Sequence, residues 1–419
     1  MNQAKDTEVK LIFTIVVVVS LTAIALSIVL KVEKLPAAAL VMACIWPAQY
    51  FAYYPTLWAT RFTPALIVLL IWAIKVQVLG GASLASSRLG SVVFIFGLLL
   101  MVVNLNLARP DKATSWLLTV LIGLTLPNII SFDKSAGPTS TLLWRTWLFL
   151  SISLSTMAVL EALWNFSVLG SLFNFNQHWA VFRVTTLLGH PLQNAWFFAI
   201  TLVMLIPKLA SEFKRYLFPF MFTAVALVLT ASSSGILATA VGGAFALVFG
   251  KKASRTPVRA RLAGLLIFGV SVLAFVASPL LQSRRIYGEA LSSADYRLTV
   301  FQLVQGLPKT DPWFGSGAGS SGEIFGALYP LPLENAWLGT FVSMGWLGTI
   351  WLFMNFVAAG IKSWNQKNIG ATAAIIAGAI MGAAFPAWEY APCILVFIGL
   401  LPMLTEDSGP QCNENEFTK

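Results

Sequence analysis

Charge is scarce in this sequence. Asp, Glu, Lys and Arg together make up 11% of the 419 residues, less than half of the roughly 25% usual in a soluble domain. An ordinary water-soluble fold is therefore excluded. Histidine occurs twice, at His178 and His190, which excludes a histidine-rich metal centre. The three cysteines, Cys44, Cys393 and Cys412, lie far apart and without ligand spacing, so neither a disulfide framework nor a zinc site follows from them. No Walker A, dinucleotide-binding or haem-attachment signature occurs, and no cofactor or metal is expected. No cleavable leader is expected either: residues 11–30 run too long for a signal core and lack a small-residue cleavage site.

Apolar residues, by contrast, reach 58%. They fall into runs near 11–30, 36–54, 63–80, 89–108, 115–131, 143–163, 195–210, 216–231, 235–250, 262–281, 336–361, 371–386 and 388–404. Most can cross about 30 Å of hydrocarbon as a helix. Helix is the state expected for all of them, because unpaired backbone groups do not survive in lipid. The fold class is thus all-α and polytopic, a single membrane-embedded domain over 1–419.

The net charge of +10 is first a topology signal. KKASRTPVRAR at 251–261 carries five basic residues and no acid, which marks a cytoplasmic loop. Lys208, Lys214 and Arg215 mark another, and Lys362 with Lys367 a third. Counting from these anchors puts 164–194 and 282–335 on the extracytoplasmic face and the tail 405–419 inside. Thirteen crossings would leave the N-terminus outside. One candidate before residue 90 is therefore expected to fall short, giving about 12 transmembrane helices. The layout becomes N-terminal spans over 1–281, one large extracytoplasmic loop at 282–335, and three last spans over 336–404. Nucleic acid is not an expected partner; membrane lipid is.

Three segments on the outer face carry polar side chains. RVTTLLGHPLQNAW at 183–196 places Arg183 before Gly189-His190-Pro191 and Asn194 at a helix start. Read alone it is an interfacial arginine and a capped helix entry. SSADYRLTVFQLV at 292–304 places Arg297 in the first turn of an amphipathic helix, where a bound anion would offset an unfavourable helix dipole. LENAWLGTFVSMGWLGT at 333–349 puts Glu334 and Asn335 at the mouth of a span. A carboxylate there serves either as a helix-start acid or as a general base. Two arginines and one carboxylate on one face suit transfer from a lipid-linked diphosphate to an alcohol. The arginines would neutralise the leaving group where other enzymes use a divalent cation. The competing classes are a lipid-linked glycan flippase or small-solute transporter, for which mid-span charges are few (Lys75, Arg145 and Glu389), and a purely structural scaffold.

These segments resemble a known family. Glu334-Asn335, nine residues, then Gly345-x-x-Gly348-Thr349 is similar to the His-[Asn/Ser/Gln]-x9-Gly-x-x-Gly-Thr signature of the bacterial O-antigen ligase/polymerase superfamily. Arg183 with Gly189-His190-Pro191 and Asn194 resembles that family's Arg…Gly…(His/Asn)-Pro-Asn segment. Tyr296-Arg297 ahead of PWFGSGAGS resembles its second arginine, and LTASSSG at 229–235 its Thr-x-Ser-Arg-Gly segment without the Arg. The resemblance implies a metal-independent, inverting membrane glycosyltransferase of the GT-C type, in the bacterial inner membrane with its active site facing the periplasm. Its donor would be an undecaprenyl-diphosphate-linked glycan. The acceptor would be a lipid-linked repeat unit in a polymerase or the lipid A–core in a ligase, and a chain-length regulator is a further partner it allows. Glu334, Arg183 and Arg297 would be catalytic, and Arg183, Arg297, His190, Asn194 and Asn335 would bind substrate. Glu334 where ligases carry His favours a polymerase or related glycan transferase.

Overall fold

The computed structural model describes residues 2–46, 63–79, 82–83, 88–107, 116–132, 136–172, 182–250, 299–304, 307, 311–329, 333–385 and 393–404. The basic run 251–261, the expected span at 262–281, Arg297, Glu389 and the tail from 405 lie outside the described residues. The helices are α1 (Asn2–Val29), α2 (Leu35–Ile45), α3 (Pro64–Val78), α4 (Arg88–Leu107), α5 (Trp116–Ile129), α6 (Ala136–Trp164), α7 (Val168–Leu172) and α8 (Pro191–Ser211). They continue as α9 (Phe213–Leu229), α10 (Ser233–Phe249), α11 (Ser321–Leu328), α12 (Ala336–Asn365), α13 (Ile369–Gly382) and α14 (Cys393–Leu400). Two-residue strands β1 (Ala82–Ser83) and β2 (Ser131–Phe132) pair antiparallel. By length and composition α6, α8 and α12 can each cross a membrane unaided, and shorter apolar helices fill out the bundle.

Lipid gives apolar faces little reason to leave it, so such helices associate through close packing and interhelical hydrogen bonds. Both are present around α8, which is buried from Gln193 to Ile206. A Cβ added at Gly242 of α10 would sit 3.0 Å from Ala377 Cβ of α13 and 3.0 Å from Val203 of α8. The hydrogen on a glycine is what lets these three helices meet. Trp147 Nε1 of α6 donates to Thr201 Oγ1 of α8 at 2.8 Å, and the Ser151 and Thr223 hydroxyls join α6 to α9 at 2.8 Å. Thr125 Oγ1 of α5 donates to Asn355 Oδ1 of α12 at 2.7 Å.

The two ends of the bundle differ in charge. At one end Lys208 stands 4.8 Å over the Trp144 ring. There too Lys362 Nζ donates to the carbonyls of Pro127, Asn128 and Ile130 at 2.8, 3.1 and 2.9 Å. These are the orphan acceptors of α5's C-terminus, where a cation complements the helix dipole. Lys75, in the last turn of α3, does the same for α1 through the Ile28 and Leu30 carbonyls at 2.7 and 3.0 Å. The β1–β2 pair follows α3 and α5 at this end. Neither Lys75 nor the exposed Arg145, next to Trp144, is therefore a mid-span charge of the kind a transporter reading needs.

The lysine locks also order the start of the chain. Because the C-terminal ends of α1 and α3 meet at the basic end, α1 runs parallel to α3 and begins at the opposite end. By the positive-inside rule the basic end is the one expected on the cytoplasmic side. Single cysteines placed at Ser254 and Ser320 should consequently react with a membrane-impermeant reagent from opposite sides. Reaction from the same side would remove the sidedness on which the site depends.

Residues 311–321 close against a break in α12. Gly345 has φ 62° and ψ −162° inside the helix, a conformation open essentially to glycine alone. The break frees backbone groups on both sides, and the loop takes them up. Trp346 N donates to Pro312 O at 2.8 Å and Leu347 N to Trp313 O at 3.2 Å. In return Ser316 N donates to Val342 O at 3.1 Å and Gly317 N to Ser343 O at 2.7 Å. Ala318 N reaches Asn104 Oδ1 of α4 at 3.0 Å, and Thr349 Oγ1 donates to Gly345 O at 2.9 Å. Irregular backbone within a membrane bundle is tolerated where protein satisfies it in this way. A Cβ at Gly345 would lie 2.4 Å from the Trp313 carbonyl. Gly345→Ala should cost about 1–3 kcal/mol in backbone strain and a similar amount in overpacking. A clear fall in Tm in detergent checks this; an unchanged Tm would show the loop is not clamped there.

Candidate functional site

At the end opposite the lysines the chain builds a polar knot from four elements. Glu161 is 1% exposed near the C-terminus of α6. Its Oε2 accepts from Thr185 N at 2.8 Å and Thr186 N at 3.1 Å, and its Oε1 from Val168 N at 3.3 Å. Thr186 adopts φ 44° and Gly189 φ 79°, so the chain turns sharply before α8. Thr186 Oγ1 donates to Asn194 Oδ1, and Asn194 Nδ2 donates to the carbonyls of Thr185 and His190. Asn194 is thus engaged in holding the loop on the first turn of α8.

Arg183 leads into this knot. It is 4% exposed, and its Nε donates to Thr230 O at the end of α9, 2.9 Å away. Among residues whose side chains are described, Lys31, Lys34, Lys75, Arg145, Lys208, Lys214, Arg215, Lys362 and Lys367 belong to the other end of the bundle. Arg183 alone stands at this one. His190 caps α8: its Nδ1 accepts from Leu192 N at 3.1 Å, and its ring stacks on Phe385 with centroids 4.8 Å apart. Burial, with the Arg183 guanidinium nearby, holds the imidazole down to about 3. It is therefore neutral at physiological pH. With Nδ1 accepting, the proton sits on Nε2, which becomes a donor.

Two more helices begin at the same end. Ser232 caps α10, its Oγ accepting from Gly235 N at 3.2 Å, and a Cβ at Gly235 would lie 3.1 Å from Ala195 Cβ of α8. Asn335 caps α12, its Oδ1 accepting from Leu338 N at 3.0 Å. Trp337 Nε1 donates to Ala379 O of α13 at 3.0 Å, and α13 leads to Phe385 under His190. Glu334 is half-buried immediately before the cap. The starts of α8, α10 and α12 thus lie at one end of the bundle, the end that holds Arg183. A helix start carries partial positive charge, the sign that suits an anion.

Of the residues expected from sequence, Arg183, His190 and Asn194 form one unit. Glu334 and Asn335 share its end of the bundle through α13. Arg297 lies outside the described residues; the helical stretch that follows it, 299–304, packs Val300 and Val304 against Phe325, Leu333 and Val342. Sequence reasoning missed Glu161, although a lone acid in an otherwise apolar span is a signal that finds such groups. Among the described residues no group of three or more His, Cys, Asp or Glu stands ready for a metal ion.

Fold and site together define a helical membrane protein with a buried arginine and three helix starts at the end opposite its basic one. Residues 218–353 match the protein-family model described as O-antigen ligase. The match supports placing this chain in the O-antigen ligase/polymerase superfamily, membrane enzymes of surface polysaccharide assembly. It runs from α9 into α12, taking in Ser232 and Glu334 and leaving Arg183 and His190 outside. No curated protein matches the chain.

Proposed function

We propose that this protein moves a glycan from undecaprenyl diphosphate to an acceptor hydroxyl at the periplasmic face of the inner membrane, without a metal and with inversion at the anomeric carbon. The observation that carries the reading is Arg183, a buried cation at the end of the bundle where three helices begin. The donor diphosphate would lie against Arg183 and Arg297, whose planar forks fit phosphate oxygens bidentately. His190 Nε2–H adds a neutral donor. Glu334 takes the proton from the acceptor hydroxyl as its oxygen forms the new bond to the anomeric carbon. The old carbon–oxygen bond breaks on the opposite side, and undecaprenyl diphosphate leaves with both electrons, its charge stabilised by the arginines. Asn335 orients Glu334 or the acceptor through its place at the cap, and Asn194 holds the loop that presents Arg183.

Glu334 in the position where ligases carry His favours polymerisation, with another lipid-linked repeat unit as acceptor and a chain-length regulator as partner. Deleting the gene should leave single repeats on the lipid A–core. Core devoid of O-polysaccharide would assign ligation to the lipid A–core instead, and unaltered long polysaccharide would remove the proposal.

A further inference from the structure

We infer that Glu161 is the positioning residue of the donor site, the group that presents Arg183 to its ligand; this rests on the reading of that site given above. Its side chain belongs to α6, an apolar helix of 29 residues, and a buried acid in such a helix is costly unless it is fully engaged. Glu161 is engaged in one way only among its described contacts: it accepts. Oε2 takes the N–H groups of Thr185 and Thr186 at 2.8 and 3.1 Å and approaches the Thr185 hydroxyl at 3.5 Å. Oε1 takes Val168 N at 3.3 Å. A carboxylate only 1% exposed is out of reach of a substrate hydroxyl, so the role is to place other groups.

The groups placed are those of the site. Thr185 follows Arg183 by two residues. Thr186, in its left-handed conformation, passes the restraint to Asn194 through its hydroxyl. Asn194 passes it to the His190 carbonyl at 3.0 Å. Ser167 closes the other side, its hydroxyl 2.6 Å from that of Thr185. One carboxylate therefore fixes, through at most two further hydrogen bonds, the backbone that carries Arg183 and the cap that carries His190. A neutral amide cannot reproduce it. Gln can aim its oxygen at Thr185 and Thr186, but its NH2 then faces Val168 N–H, donor against donor. Asp keeps the charge but is one methylene shorter and cannot span both sides.

The test compares Glu161→Gln, Glu161→Asp and Arg183→Ala in the full chain reconstituted in liposomes. A lipid-linked glycan is the varied substrate, and rates are expressed per folded molecule. Both Glu161 variants should raise the donor KM about tenfold, the effect of one misplaced charge-assisted contact, and leave the acceptor KM unchanged. A role confined to stability would lower Tm and the folded yield but not the KM of the molecules that remain. Unaltered donor KM in both Glu161 variants, with Arg183→Ala impaired, overturns the inference and leaves the donor site standing. Unaltered donor KM in Arg183→Ala overturns the donor site, and the inference with it.

Discussion

Replacing Glu334 by Gln is expected to slow glycan transfer by about 10²–10⁴-fold, the usual contribution of a positioned general base. A sugar hydroxyl is a very weak acid, so its proton must leave as the oxygen attacks. Glu334 is half-buried immediately before the Asn335 cap of α12, at the end of the bundle that holds Arg183. Gln keeps the shape and most hydrogen bonds but accepts no proton. Donor and acceptor KM should therefore change little while kcat falls. Glu334→His should retain measurable turnover if basicity is the role. An acid that merely complements the helix dipole contributes about 0.3–1 kcal/mol to local stability, and its Gln variant would be nearly as active as the wild type. Steady-state kinetics in proteoliposomes separates the two.

The second large effect belongs to Arg183. Its Nε is anchored on Thr230 O, and a planar guanidinium can hold such an anchor and fork a phosphate at once. Lysine has one charged nitrogen and cannot hold the anchor and fork a phosphate together. Arg183→Lys should accordingly be harmful, and Arg183→Ala more so. Loss of one charge-assisted contact to the leaving diphosphate costs about 2–4 kcal/mol of transition-state stabilisation, or roughly 30- to 1000-fold in kcat/KM for the donor. Arg297→Ala is expected to fall in the same range. Wild-type turnover in normally folded Arg183→Ala and Arg297→Ala proteins would make both residues interfacial anchors.

Sequence and structure agree where the signal is local. Hydropathy locates the helices, basic residues sort the ends, and the capped helix entry read at 183–196 is the one that His190 makes, because a helix start needs an acceptor within three residues. The His/Asn alternation in the resembling segment has a physical basis here: Nδ1 of His and Oδ1 of Asn both accept from the first turn of α8. What escapes the sequence is contact across long separations. The Gly-x-x-Gly-Thr run reads as a motif of unknown purpose until Gly345 is seen to take the carbonyls of Pro312 and Trp313 into the break of α12. Glu161 lies 24 residues before Thr185, and nothing in either segment announces the other. Lys75 counts as a mid-span charge in a hydropathy plot because the C-terminus it caps belongs to another helix.

The most direct measurement is made on proteoliposomes of defined orientation, holding the purified protein, an undecaprenyl-diphosphate-linked glycan and an acceptor. The account predicts that the donor is consumed, that glycan appears on the acceptor, and that free undecaprenyl diphosphate accumulates in equal amount at the face carrying Arg183. Movement of intact lipid-linked glycan across the bilayer, with no bond made or broken, would contradict it.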